Sequence, residues 1–269
     1  MPMTVRAGTE LYWEKDGNGP PLILASGLGG VISYWEPNRA ALAERFTLYL
    51  FDQRGTGRST KATVQSIEQM SADLIAIMDD AGLDSAHFLG HSTGGAIGVA
   101  TALDYPDRLR SLLIYASTTH GDDYRHRLFD LRRQIHSSLG MEGYAKYTSL
   151  LLYPPYWINA NHEKLKSIEV QAAKQVGEPH VQASRLDAIL SFDRRSELGK
   201  IKVPTMVLCA DDDIITPRYF SEDFSARIPG ASSHFVEQGG HALSRTEPAL
   251  FNQLVLDFFA RIVESEPVQ

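Results

Sequence analysis

Gly90-His91-Ser92-Thr93-Gly94 follows the pattern G-x-S-x-G. In that pattern a sharp turn from strand to helix lifts a serine hydroxyl above a sheet, and the glycines leave room for close backbone approach. A serine hydroxyl is a weak nucleophile at neutral pH and needs a base within hydrogen-bond reach. Of the nine histidines, His241 is the best placed, because it follows Gly239-Gly240 in a loop that can return to the carboxyl edge of a sheet. His91 adjoins the serine, but the elbow is expected to turn it elsewhere. His120, His126, His136, His162 and His180 are expected mostly at the surface, with one free to touch substrate. The base needs an acid to fix its tautomer and stabilise its cation. Asp211-Asp212-Asp213 closes an apolar run, and Asp213 has the best spacing to Pro217. The other two are expected to be solvated, with Asp122 and Asp123 as alternative acids. The order serine, acid, histidine is the one an α/β sheet with this elbow uses, and the chemistry would be acyl transfer to Ser92.

The reaction develops an oxyanion, which two preorganised backbone amides should face. Thr93, directly after the serine, would supply one. Leu28, in Ser26-Gly27-Leu28-Gly29-Gly30, would supply the other. That glycine stretch lacks the G-x-G-x-x-G spacing and the acidic partner of a dinucleotide cradle. Asp52-Gln53-Arg54-Gly55-Thr56-Gly57-Arg58-Ser59 is read as a hydrogen-bonded structural turn beside the site. Tyr34, Trp35, Tyr153 and Trp157 are candidate pocket aromatics. Arg125, Arg127, Arg132, Arg133 and Arg185 are read as mostly solvated helix faces, with one, Arg185 by preference, free to bind a substrate carboxylate.

These residues need elements to hold them. Short apolar runs at 9–13, 21–25, 47–51, 87–90, 111–116, 205–210 and 233–236 predict strands. Residues 66–81 predict a helix, with Ser66 and Gln69 at capping-box spacing and Gly82 as the stop. Further helices are expected over 96–103, 125–139, 181–190, 217–227 and 247–263, and 153–157 is read as a connector. Alternating strands and helices imply a mostly parallel sheet flanked by helices. Residues 119–196 carry no convincing strand. They are read as a helical cap inserted before the last two strands, with 1–118 and 197–269 forming the core.

Composition limits the rest. A net charge of −7, from 26 basic and 33 acidic residues, argues against a nucleic-acid ligand. Cys209 is the only cysteine, so no intrachain disulfide and no cysteine-based metal site can form. Residues 1–9 lack the basic-then-apolar run of a signal peptide, and no apolar run approaches the ~20 residues of a membrane helix. The expectation is a cytoplasmic enzyme, monomeric or homodimeric, acting on a small molecule without metal or organic cofactor and without a membrane or nucleic-acid partner.

Taken together, elbow, glycine loop, acid turn and late histidine resemble the α/β-hydrolase superfamily over nearly the whole chain. A closer resemblance, to the aminoacrylate hydrolases of the Rut uracil-degradation pathway, is carried by several motifs. They are Ser26 to Gly30 with Ser33-Tyr34-Trp35, Asp52 to Gly57, Leu103-Asp104-Tyr105-Pro106, Leu152-Tyr153-Pro154 and Gly239-Gly240-His241-Ala242. The chain is similar, more loosely, to 3-oxoadipate enol-lactonases. Both families act on small carboxylates, so the resemblance implies hydrolysis of an ester, lactone, amide or enamine bond in such a molecule. The elbow residue varies among aminoacrylate hydrolases, whereas the intact Ser92 leans towards acyl-enzyme chemistry. Dehalogenases and epoxide hydrolases on this fold need an aspartate at the elbow, so Ser92 argues against them. A cofactor-free oxygenase or perhydrolase, and a ligand sensor derived from a hydrolase, are the remaining rivals.

Overall fold

Eight strands, β1 (Met3–Arg6), β2 (Thr9–Asp16), β3 (Pro21–Ala25), β4 (Thr47–Phe51), β5 (Ala86–His91), β6 (Leu109–Tyr115), β7 (Thr205–Ala210) and β8 (Ser232–Val236), form one sheet in the order β1-β2-β4-β3-β5-β6-β7-β8. They belong to a computed structural model that describes residues 2–175 and 177–265. β1 and β2 pair antiparallel and β2 joins β4 antiparallel; every later pairing is parallel. β4, β5 and β7 are buried along their whole length. That fits strands covered on both faces and explains why they read as unbroken apolar runs.

The helices are α1 (Glu36–Ala43), α2 (Ile67–Asp80), α3 (Thr93–Asp104), α4 (Asp123–Leu152), α5 (Pro155–Ala160), α6 (His162–Gln175), α7 (Pro179–Ser191), α8 (Arg218–Arg227), α9 (Leu243–Thr246) and α10 (Pro248–Ser265). α2 starts and stops as its sequence predicts. Ser66 Oγ accepts from the Gln69 amide at 3.2 Å, and Gln69 Oε1 reaches back one residue further than a standard box, to the Gln65 amide at 2.8 Å. Gly82 takes the left-handed conformation (φ 68°) after the last turn.

Two apolar layers sandwich the sheet. On one face Phe88, Leu112, Ile114 and Val207 meet α2 and α3; on the other, Leu24, Leu89, Leu113 and Leu208 meet Trp35 and Phe251, Val255 and Phe259 of α10. The chain departs from the sheet only between β6 and β7, where α4 to α7 follow one another. Within α4, Gly140 is non-helical (φ 65°, ψ −165°) and joins two helical segments, at the point where the sequence pattern of 125–139 stops. Among the described residues no helix is long and apolar enough to cross a membrane.

The sequence reading missed β1, α1, α6 and α9, read α5 as a connector, and started α3 three residues late. α3 begins at Thr93 although Gly94 and Gly95 are poor helix formers. A Cβ at Gly94 would lie 2.2 Å from the Ala25 carbonyl oxygen, and one at Gly95 would lie 2.6 Å from Ser117. The glycines are a requirement of packing the helix start against β3 and the segment after β6.

Candidate active site

Parallel pairing brings several strand ends together. Ala25 sits beside Gly90, His91 beside Tyr115, and Ala210 beside Val236. The loops that leave these ends therefore share one edge of the sheet, where open α/β folds build their sites. Ser92 occupies the turn from β5 into α3 with φ 52° and ψ −116°. Such a backbone costs a non-glycine residue ~1–3 kcal/mol and persists only where its surroundings over-determine it. Here the Ser92 amide donates to the Tyr115 carbonyl at 2.8 Å. Its own carbonyl accepts from the Gly95 amide at 2.9 Å and from Ser117 Oγ at 2.7 Å. A Cβ at Gly90 would collide with the Gly94 carbonyl at 2.3 Å, so the first glycine of the pattern is a steric necessity too.

His241 and Asp213 form a buried pair, with Nδ1 to Oδ2 at 2.8 Å. Because a carboxylate only accepts, the histidine proton resides on Nδ1 and leaves Nε2 with a free lone pair. Asp213 is itself fixed: Oδ1 accepts from the amides of Ile215 and Thr216 at 2.8 and 3.0 Å, and Oδ2 accepts from Thr216 Oγ1 at 2.7 Å. The neighbouring aspartates go elsewhere. Asp211 pairs with Arg218 at the surface, and Asp212, expected to be solvated, accepts from the Gly240 amide at 2.7 Å and anchors the histidine loop. Asp122 caps α4 through the Arg125 amide and accepts from Tyr219.

Ser92 and His241 line one cavity of about 590 Å³, together with Leu28, Thr93, Tyr34 and His91. Among the described residues no hydrogen bond joins Ser92 Oγ to His241. The orientation of the Leu28 amide follows from its own peptide: the Gly27 carbonyl accepts from the Gly30 amide at 2.9 Å, so the Leu28 N–H points the opposite way. Among the described residues it donates to no protein group, and neither does the Thr93 amide at the start of α3.

The 52–59 turn holds the glycine loop. Gln53 Nε2 donates to the Ser26 carbonyl at 2.6 Å, its amide donates to the Gly30 carbonyl at 2.7 Å, and Asp52 accepts from the Ile32 amide at 2.8 Å. Arg185 completes this frame and lies outside the cavity lining. Fully buried on α7, it donates to the Leu28 carbonyl through Nε (3.1 Å) and Nη2 (3.0 Å). It also donates to the Arg54 carbonyl and to Gln53 Oε1, both at 2.6 Å. Burial pushes its guanidinium down to about 10. Arg185 is thus a clamp on the loop, because its donors are consumed by protein acceptors.

Of the candidate aromatics, Tyr34 lines the cavity, whereas Trp35, Tyr153 and Trp157 lie outside the lining. Trp35 is buried edge-on beneath Tyr34 and packs on Phe251; Tyr153 and Trp157 stack on each other at 4.5 Å in a small core with Leu165 and Ala242. The expectation for His91 also needs correction. The elbow places its ring against the site, stacked on Tyr34 at 4.5 Å and 4.7 Å from the His241 ring. Its Nε2 donates to the His241 carbonyl at 3.0 Å, an acceptor shared with Tyr115 Oη at 3.0 Å. Burial, then the neighbouring His241, holds the His91 pKa well below the usual imidazole value, so the ring is neutral.

Arg125 and Arg132, read from sequence as solvated, are buried. Arg132, Lys164 and Arg245 are the charged residues on the cavity wall, and no Asp or Glu joins them among the described residues. Sequence reasoning missed Thr216 as well, although a threonine three residues after an aspartate at a strand end is a recognisable turn signal. Among the described residues no group of three or more His, Cys, Asp or Glu is placed to hold a metal ion.

Residues 20–145 match the family model for the alpha/beta hydrolase fold. The chain is 37% identical over 263 residues to a protein of Azorhizobium caulinodans named putative carbamate hydrolase RutD, covering 97% of this chain and 99% of that one. A protein of the same name from Caulobacter sp. (strain K31) is 36% identical over 257 residues, covering 93% and 96%. Among solved structures, the enol-lactonase from Burkholderia xenovorans LB400 superposes with a TM-score of 0.89 at 26% identity, covering 96% of this chain and all of its own. With this sheet, this elbow and relatives that align from end to end, the chain belongs to the α/β-hydrolase family of enzymes and stands beside the RutD proteins within it.

Proposed function

We propose that this enzyme is a serine hydrolase that cleaves an ester, lactone or related acyl bond of a small carboxylate-bearing metabolite through an acyl-enzyme on Ser92. The observation that carries the reading is the buried His241–Asp213 pair, closed at 2.8 Å, whose histidine lines the cavity that also holds Ser92. Ser92 Oγ attacks the substrate carbonyl while His241 Nε2 takes its proton, and Asp213 stabilises the imidazolium that forms. The amides of Leu28 and Thr93 receive the oxyanion. His241 then protonates the leaving group, and water, activated by the same histidine, releases the acid and restores Ser92.

A second bond type has specific support. The relatives named putative carbamate hydrolase make a carbamate or similar C–N bond the first alternative to an ester or lactone. The same residues serve both, since the tetrahedral intermediate and its oxyanion are alike.

Comparison of wild type with Ser92→Ala on p-nitrophenyl esters from acetate to octanoate tests the proposal. The expected result is turnover favouring the short acyl chains and a loss of roughly 10⁴-fold or more in kcat in the variant. Equal turnover by both proteins would rule out the covalent route.

A further inference from the structure

We infer that Arg132 is the recognition point for the carboxylate of the substrate, an assignment that deepens the serine-hydrolase reading and relies on it for the reacting end of the molecule. Arg132 projects from α4 into the wall of the cavity that holds Ser92, and only 4% of it is exposed. Its contacts leave most of its hydrogen-bonding capacity unused. Nη2 donates to Thr148 Oγ1 at 3.2 Å, and Nε is buried without a partner. Among the described residues no carboxylate pairs with it.

The rest of its surroundings is aromatic. The guanidinium lies 5.5 Å from the Phe129 ring centre and 5.2 Å from that of Tyr144. Such contacts orient a cation but leave its N–H groups unsatisfied. A buried charge without a counter-ion is costly, and the cost is offset when an anion arrives. A planar fork of donors suits a carboxylate, which it can hold by two parallel hydrogen bonds.

Neighbouring arginines make the contrast. Arg133, one residue on, is paired with Asp187 and Asp130, and the donors of Arg185 are taken by backbone carbonyls and Gln53. Arg125, also buried, does not line the cavity and donates to the His120 carbonyl. The other two cations of the cavity differ from Arg132 in burial: Lys164 is exposed and Arg245 half-buried over Tyr34. They can attract an anion to the opening, whereas Arg132 can fix it inside.

The test uses two esters of equal chain length, mono-p-nitrophenyl succinate and p-nitrophenyl butyrate, which differ in a terminal carboxylate. The readout is the ratio of their kcat/KM values. Arg132→Gln is expected to lower that ratio on the order of 100-fold, and Arg132→Lys, which keeps the charge and loses the fork, by less. An unchanged ratio in Arg132→Gln overturns the assignment, as does a collapse confined to Arg245→Gln. Calorimetric titration with succinate gives an answer independent of turnover. Binding is expected in wild type and in Ser92→Ala and lost in Arg132→Gln; absence of binding to wild type overturns the assignment. If wild type hydrolyses neither ester yet binds succinate through Arg132, the hydrolase reading fails while the carboxylate site stands.

Discussion

At the scale of single residues, the site depends on which hydrogen-bonding groups are spent and which are left over. Asp213 accepts four hydrogen bonds, counting the one from His241, so it is held in place and cannot follow the ring if the ring moves. Asp213→Asn is expected to lower kcat by ~10⁴-fold, because an amide nitrogen facing Nδ1 stabilises the wrong tautomer; steady-state kinetics on a short ester measures it. Wild-type turnover in that variant would remove Asp213 from the mechanism. Ser92, His241 and Asp213 were each nameable from the sequence as candidates, because the elbow pattern and the order of the three residues are local signals. The burial and the partners of Arg185 and Arg132 were not. Both are arginines on helices, and only tertiary packing decides that one meets backbone carbonyls and the other the cavity wall.

At the scale of elements, the glycine loop 26–30 is a suspended structure. Ser26, Leu28 and Gly30 each give a carbonyl to a group outside the loop: Gln53 Nε2, Arg185, and the Gln53 amide with Thr56 Oγ1. Since Arg185 comes from α7, the helical segment between β6 and β7 takes part in aiming the Leu28 amide. Arg185→Gln is expected to lower kcat on short esters by about 10- to 100-fold with a smaller change in KM, as loss of a preorganised donor does; a rise in KM with unchanged kcat would contradict it. The start of α3 is governed by sterics. Gly94→Ala puts a methyl group 2.2 Å from the Ala25 carbonyl oxygen, and is expected to destabilise the fold by ~1–3 kcal/mol in denaturant unfolding. A stability within ~0.5 kcal/mol of wild type would mean that the contact relaxes freely. Most sheet strands were readable from composition because they are apolar on both faces. β1 was not, since its four residues show little alternation and its place is fixed from outside. Arg6 pairs with Asp73 of α2 at 2.9 Å, and Thr4 Oγ1 donates to Asp80 at 2.9 Å.

At the scale of the whole molecule, an acidic chain lines a cavity whose charged residues, among the described ones, are the basic Arg132, Lys164 and Arg245. Net charge alone gave no reason to expect an anionic substrate; the wall of the cavity does. Stability should also depend on pH through two buried histidines. Burial, then Arg110, pushes His87 down to about 4, and burial moves His91 in the same direction. An unfolded chain takes up these protons as pH falls through ~6.5, whereas the native state refuses them. The stabilising contribution is therefore complete above ~6.5 and is lost as pH falls towards 4. The melting temperature is expected to decline over that window, and His87→Gln, which cannot titrate, should decline less steeply. Parallel curves for the two proteins would exclude His87 as a source of the effect.

The most direct test of the central claim is active-site labelling with a fluorophosphonate, which reacts only where a serine is activated and an oxyanion is accommodated. Intact-protein and peptide mass spectrometry would locate the adduct. A single phosphonyl group on the peptide that contains Ser92, absent from Ser92→Ala and formed far more slowly in His241→Ala, is the predicted result. Folded wild type that stays unlabelled, or labelling that persists in Ser92→Ala, would contradict the account.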